Sequence, residues 1–437
     1  MKQLTIAIAG AGARAQQHME TLACLAGRYR IVAVSDTRGE RAEEAARRVG
    51  AEAYANPVRM LDAARPDALF VVVPPDGHHP LTLAAAQRGV HVLCEVPISI
   101  TLPLADLMID ACARAGVVLE ICENVPRKTS ERLKQEVVRR GLLGQVLLAR
   151  LQYASGAYHG ISGVRRLLPG RATRVWGFRR TMPAVPMVDF TGIEHDRQDW
   201  EFGYFTFGGP SAGTTGTQDT TQEVTLLYEQ PPRPGGRNTW EIVGTHGRIT
   251  DGEVLLLREG SDGRRREVAH PIKYEMRRRE ETDGAAAGPG GGASNNALET
   301  LVRAYVETDP PVVWENPGAT LGLPGGQDDV ARASQLLSFH RAVTEGAAPE
   351  YGGEDARTDL ELLLALRESA RQGSVPVELP LCGMTEHERL LHEEYRLTYG
   401  RDPLESLEEA AAALFPRGGI THRVTHDRIA EVLQPRG

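Results

Sequence analysis

The chain has 437 residues, of which 41% are apolar and 25% charged, with a formal net charge of −8. That length exceeds one ordinary hydrophobic core and points to two domains. The acidic balance argues against a nucleic-acid or polybasic membrane partner, and no apolar run is long enough to span a bilayer.

The opening MKQLTIAIAGAGA has a short apolar run that leads straight into a glycine pattern, so it reads as a first strand and not as a signal peptide. Residues 1–122 then alternate strand and helix. The predicted strands are 4–9, 31–35, 68–73, 90–94 and 117–122, all continuous apolar runs, as expected where both faces of a parallel sheet are covered. Thr101 is placed to cap a helix that Gly116 ends, and Gly89 closes the helix before it. Repeated βα units of this length predict a doubly wound sheet.

Between the first strand and helix lies Gly10-x-Gly12-x-x-Ala15. Gly10 permits the tight turn, Gly12 lets backbone approach a pyrophosphate, and Ala15 keeps the helix close to the sheet. Phosphates then meet the unpaired N–H groups at the helix start, around Ala13 and Arg14. Asp36, with Thr37 beside it, ends the second strand 21 residues past Ala15, where an acid can hold ribose hydroxyls. The acid favours NAD; Arg38 keeps NADP open, because a guanidinium suits a 2′-phosphate.

After about residue 144 the pattern changes. Strands are expected at 145–153, 200–209, 222–230, 238–243 and 252–260, several alternating apolar with polar, in an open antiparallel sheet covered on one face. Helices are expected at 155–168, 297–307, 327–345 and 356–372. Residues 283–296 read as a loop, and the arginines of 165–180 as a solvated strand edge. From Met384 the chain is charged and helical, with no chemistry visible in it. Five cysteines (Cys24, Cys94, Cys112, Cys122, Cys382) without CxxC spacing read as reduced thiols of a cytoplasmic protein, and no metal-ligand spacing appears.

Five stretches resemble one family: AIAGAGARAQQH, VVVPPDGHHPLTLAAAQRGVHVLCEVP, LADLMIDACARAGVVLEICEN, WEIVGTHGRITDGEVLLLREG and YGGEDARTDLELLLALRESARQGSVPVELPL. They are similar to the Gfo/Idh/MocA oxidoreductases, the group of glucose-fructose oxidoreductase and inositol dehydrogenase. The resemblance is continuous over the first 125 residues, patchier to about 381 and absent from the tail. It implies an NAD(P)-binding Rossmann domain (1–125), an α+β domain for substrate and subunit contact (126–382), and leaves a helical extension (383–437). It also implies oxidation of a secondary alcohol of a sugar, cyclitol or related polyol, and a homodimer or homotetramer formed through the open sheet.

By the same resemblance, Pro74, Pro75 and His78 lie where a loop approaches the cofactor, and Asn124 lies near the nicotinamide. Glu95 and Pro97 match the ends of the family's Glu-Lys-Pro, with a proline that is often cis. The lysine position is Val96, which has no proton to exchange and no charge to offer. The family's Asp-x-x-x-His pattern matches Ser155 and His159; a rival placement uses Asp189 and His195. His159 is the expected base, alone or with Tyr158, Glu95 or Glu123, and His195 a second pocket residue. Two alternatives follow from the missing lysine: a redox-neutral elimination or epimerisation with retained NAD, or an NAD-binding sensor that has lost catalysis.

Overall fold

The computed structural model describes residues 2–154, 156–188, 194–208, 223–231, 238–278, 299–321, 323, 325–405, 407–411, 415 and 420. The first domain alternates β1 (Leu4–Ala9), α1 (Ala13–Cys24), β2 (Tyr29–Ser35), α2 (Gly39–Val49), β3 (Glu52–Tyr54), α3 (Pro57–Ala64), β4 (Ala68–Val71), α4 (His78–Gln87), β5 (His91–Cys94), α5 (Leu102–Ala115) and β6 (Leu119–Ile121). The six strands are parallel in the order β3-β2-β1-β4-β5-β6. β1 and β4 are buried almost throughout, which is why their sequences are continuous apolar runs rather than alternating ones.

The second domain follows with α6 (Thr129–Arg139), β7 (Val146–Gln152), α7 (Ala157–Arg165), β8 (Arg171–Val188), β9 (Glu194–Gly208), β10 (Val224–Gln230), β11 (Thr239–Gly244), β12 (Gly247–Ile249), β13 (Glu253–Glu259), β14 (Arg265–Arg278), β15 (Glu299–Val306) and β16 (Val312–Glu315). Then come α8 (Gln327–Glu345), α9 (Gly353–Arg371), β17 (Val377–Glu378), α10 (Glu386–Tyr399) and α11 (Leu407–Ala411). An 11-stranded sheet runs β16-β15-β14-β13-β12-β11-β7-β10-β9-β8-β17. β7 and β10 pair in parallel, and the other neighbours in that order are antiparallel. Trp176 and Tyr204, and Phe178 and Trp200, form edge-on aromatic pairs across β8 and β9, with Phe178 and Phe202 exposed.

Two expectations change. Residues 297–307 do not form a helix: 299–306 is β15, paired with β14 and β16. Its β-branched Thr300, Val302 and Val306 fit a pleated ladder better than a helix. The arginine-rich 165–180 is split between the end of α7 and a long strand, β8, which is second from the sheet edge because β17 pairs outside it. Residues 283–296 lie outside the described residues.

Helices from late in the chain complete the first domain. Leu336 and Phe339 of α8 join the core formed by α1, α2 and the sheet. Tyr29 donates to the Leu336 carbonyl at 2.6 Å, and His340 Nε2 bonds the Lys2 carbonyl at 2.8 Å. The Glu388 carboxylate in the first turn of α10 accepts from Leu102 N–H at the start of α5, at 2.8 Å.

Gly10 shows how tightly β1 and β4 converge. Its φ is +100°, and a Cβ there would fall 2.1 Å from the Val72 carbonyl oxygen. Gly10→Ala therefore combines a left-handed backbone with a clash against main chain. It is expected to lower folding stability by about 3 kcal/mol, read as a shifted urea midpoint with an unchanged slope.

Candidate active site

The carboxyl ends of the parallel strands converge on one crevice. At its floor, α1 starts at Ala13 behind Gly12, which provides no side-chain cap, and its first turn carries no acid. A Cβ at Gly12 would meet no atom within 4 Å. A helix start left bare and open in this way fits a pyrophosphate, which would meet the N–H groups near Ala13, Arg14 and Ala15. The Asp36 carboxylate accepts from Ala11 N–H and Arg38 N–H, each at 2.9 Å, and so fixes the glycine turn beside the position for ribose hydroxyls. Thr37, next to it, is exposed. These residues fit NAD.

Glu95 follows β5 directly and is almost wholly buried. Its Oε1 accepts from Arg14 Nε at 2.8 Å and from His18 Nε2 at 2.5 Å. Burial opposes its charge, yet Arg14 and His18 together hold the carboxyl far below the usual range. His18 is fully buried against Phe70, and burial lowers its pKa. Its Nε2 donates to Glu95, and its Nδ1 has no partner among the described residues. The Val96–Pro97 peptide is cis, and Val96 packs against the core with its N–H 3.2 Å from Glu95 Oε2.

Glu123, two residues past the end of β6, is fully buried and faces the first turn of α7. Its Oε2 and Oε1 lie 2.9 and 3.1 Å from His159 Nδ1, and Oε1 also accepts from Val125 N–H at 2.9 Å. Arg127 donates to the carbonyls of Ile121 and Glu123 and pairs with Glu120, which locks this turn. A carboxylate only accepts, so Nδ1 carries the hydrogen, and in the neutral ring Nε2 keeps its lone pair. The His159 side chain remains 33% exposed. Burial lowers its pKa, but the charge and hydrogen bond of Glu123 outweigh this and the net shift is upward. A positioned, part-exposed imidazole whose Nε2 is unbonded among the described residues is equipped to take a proton.

The other expected residues separate. Tyr158 turns its hydroxyl to Tyr351 (3.0 Å) and the Ala356 carbonyl (3.3 Å) in a buried network that continues to Asp359 and Arg165; it packs α7 against α9, and it meets the His159 imidazole only ring edge to ring, with centroids 6.3 Å apart. His78 is buried, with its ring nitrogens at the Pro97 and Val73 carbonyls, so it ties two loops together. Pro74 and Pro75 form the turn after β4. Asn124 donates to Asp328 at 3.1 Å, linking the end of the first domain to α8. His195 lies near the start of β9, two positions from β7 in the sheet, with its side chain outside the described residues. Ser155 and Asp189 also lie outside them. Among the described residues no group of three or more His, Cys, Asp or Glu is arranged to hold a metal, and the five cysteines form no disulfide.

Sequence reasoning missed the Glu95 partners. Arg14 and His18 stand four apart on α1, the spacing that puts two side chains on one helical face, and that was the available signal. It also missed Tyr153, whose ring packs under Gly160 one residue after His159. Burial, followed by the charges of Glu123, Glu131, Asp328 and Asp251, raises the Tyr153 pKa and keeps it a hydroxyl donor.

Residues 4–122 match the model of a family described as GFO_IDH_MocA, oxidoreductase family, NAD-binding Rossmann fold. The chain is 30% identical over 164 residues to the D-apiose dehydrogenase of Paraburkholderia graminis, covering 37% of this chain and 43% of that one. It is 33% identical over 144 residues to the D-glucoside 3-dehydrogenase of Escherichia coli, covering 33% and 41%. The matched segment thus spans less than half the length of either relative. In fold, it resembles levoglucosan dehydrogenase solved with NADH and levoglucosan, with a TM-score of 0.62 at 18% identity over 87% of this chain and 100% of that one. An oxidoreductase from Thermotoga maritima gives 0.57 at 17% identity, over 86% and 98%.

Proposed function

We propose, from the membership of residues 4–122 in the Gfo/Idh/MocA family of NAD-binding oxidoreductases, that the chain is an NAD-dependent dehydrogenase of a secondary alcohol in a sugar, cyclitol or related polyol. The observation that carries this reading is the Glu123–His159 pair above the carboxyl end of the parallel sheet. NAD, held by the Gly10–Ala15 turn and Asp36, would supply the hydride acceptor. His159 Nε2 takes the alcohol proton while Glu123 holds the other ring nitrogen and stabilises the imidazolium that results. Glu95, held as a carboxylate by Arg14 and His18, fixes the first turn of α1 against the turn after β5.

The substrate class draws support from the sugar dehydrogenases named above. NAD titrated with a panel of inositols, pentoses, hexosides and sugar acids is expected to yield NADH absorbance with at least one member. If NAD binds and no member is oxidised or interconverted, the dehydrogenase reading fails.

Val96 favours a second reading on one point, because it offers no ammonium beside the reacting hydroxyl. A redox-neutral epimerisation or elimination with retained NAD is marked by substrate change without accumulated NADH. The exposed aromatic face of β8 and β9 supports a homodimer or homotetramer through the sheet. Five cysteines without a disulfide support a cytoplasmic setting.

A further inference from the structure

The C-terminal extension lies beyond the segment that matches the family, yet its contacts converge on one loop of the first domain. Asp76, in the turn after β4, is fully buried. Its carboxylate accepts from the Tyr399 hydroxyl at 2.7 Å and from Ile420 N–H at 2.9 and 3.1 Å. The Phe415 ring is pressed against the next residue, where a Cβ on Gly77 would meet it at 2.6 Å. Phe415 stacks on Tyr399 and Tyr399 on Tyr395, with centroids 5.4 and 4.5 Å apart. His79 Nε2 donates to the Pro403 carbonyl at 3.0 Å.

The loop held in this way borders the cofactor crevice. In the order β3-β2-β1-β4-β5-β6 the winding reverses between β1 and β4, and ligands enter between the loops that leave those two strands. One of these loops carries Gly10; the other begins at Val72, against which Gly10 packs. His78 extends the restraint, because its ring joins Val73 to Pro97 in the turn that bears Glu95. The Asp76 carboxylate is thus anchored by the extension in the same loop that borders the crevice.

We propose that the C-terminal extension positions the loop after β4 for dinucleotide binding, with Asp76 as the positioning residue held by Tyr399 and the Ile420 backbone. The inference rests on the NAD-dependent reading above. With the anchor in place the wall of the crevice is already ordered; without it, binding must order the loop and affinity falls. The effect is on NAD affinity and not on the chemical step.

The test uses the full chain, with calorimetric titration of NAD beside thermal unfolding. Tyr399→Phe removes one hydroxyl, and Asp76→Asn is the second variant. Asn56→Ala is the control: the Asn56 side chain caps α3 by accepting from Val58 and Arg59 N–H, so its loss destabilises the same domain while leaving the Asp76, Tyr399 and Ile420 hydrogen bonds in place. Tyr399→Phe is expected to weaken NAD binding about tenfold with turnover at saturating NAD unchanged, while Asn56→Ala, with a comparable fall in melting temperature, binds NAD as wild type does. Wild-type affinity in both Tyr399→Phe and Asp76→Asn overturns the proposal, as does an equal weakening in Asn56→Ala. A wild-type chain that takes up no NAD overturns the reading beneath it as well, and the first titration alone reveals that case.

Discussion

Replacing His159 with alanine is expected to lower turnover about 10² to 10⁴-fold while NAD affinity stays within about twofold. Steady-state NADH formation and calorimetry on the same preparation read the two quantities. The prediction follows from geometry: Nδ1 is committed to Glu123, Nε2 has no partner among the described residues, and the ring is part-exposed. It carries a pH signature. A base works only when neutral, so turnover rises as pH passes upward through the His159 pKa, and Glu123 has moved that pKa above the ordinary 6.5. Glu123→Gln removes the charge, moves the acid limb to lower pH and lowers the plateau. The same shift has a consequence for stability. The charged pair stabilises the fold fully below the ordinary imidazole pKa, and that contribution is lost as pH rises through the elevated one. An acid limb that stays in place in Glu123→Gln would show that another group titrates.

Glu95→Ala is expected to reduce folding stability by about 3 to 5 kcal/mol, because it leaves Arg14 without its partner and a buried imidazole with neither ring nitrogen bonded. Urea unfolding at neutral pH measures it. Here the sign is opposite to that of His159. The Glu95 carboxyl has a depressed pKa, so its contribution is full above the ordinary carboxylate value of 4.5 and is lost as pH falls through the lowered one. Wild type therefore loses stability on acidification below pH 4.5 through this group, and Glu95→Gln does not. A urea midpoint for Glu95→Ala equal to that of wild type removes the cluster from any structural role.

The first domain was legible because its strands are buried on both faces and its glycine turn has a chemical reason for each position. Gly10 and Gly12 mark backbone needs that no other residue meets as well, and such needs show in one sequence. β3 was not legible, since Glu52–Tyr54 is short and largely exposed and carries no periodic signal. β15 was misread because its apolar positions suit both periods, and only pairing with β14 decides between them. In the site, Glu95 and His159 stood out through the family pattern, whereas the bonds that define them reach across 81 and 36 residues of chain. The partner of the Tyr158 hydroxyl was hidden for the same reason: it is Tyr351, 193 residues away. The extension looked chemically blank because Tyr399 and Glu388 act through partners about 300 residues earlier.

The placement of α8 and α10 bears on how the molecule is made. Ribosomes deliver the amino terminus first, and domains ordinarily close as they emerge. This first domain has a core that waits for Leu336 and Phe339, and a helix start at Leu102 that waits for Glu388. During synthesis the nascent sheet thus stands with one flank uncovered until most of the polypeptide has left the exit tunnel. Stalled or prematurely terminated chains expose that flank to chaperones and proteases, so only messages read nearly to their end produce a closed nucleotide fold.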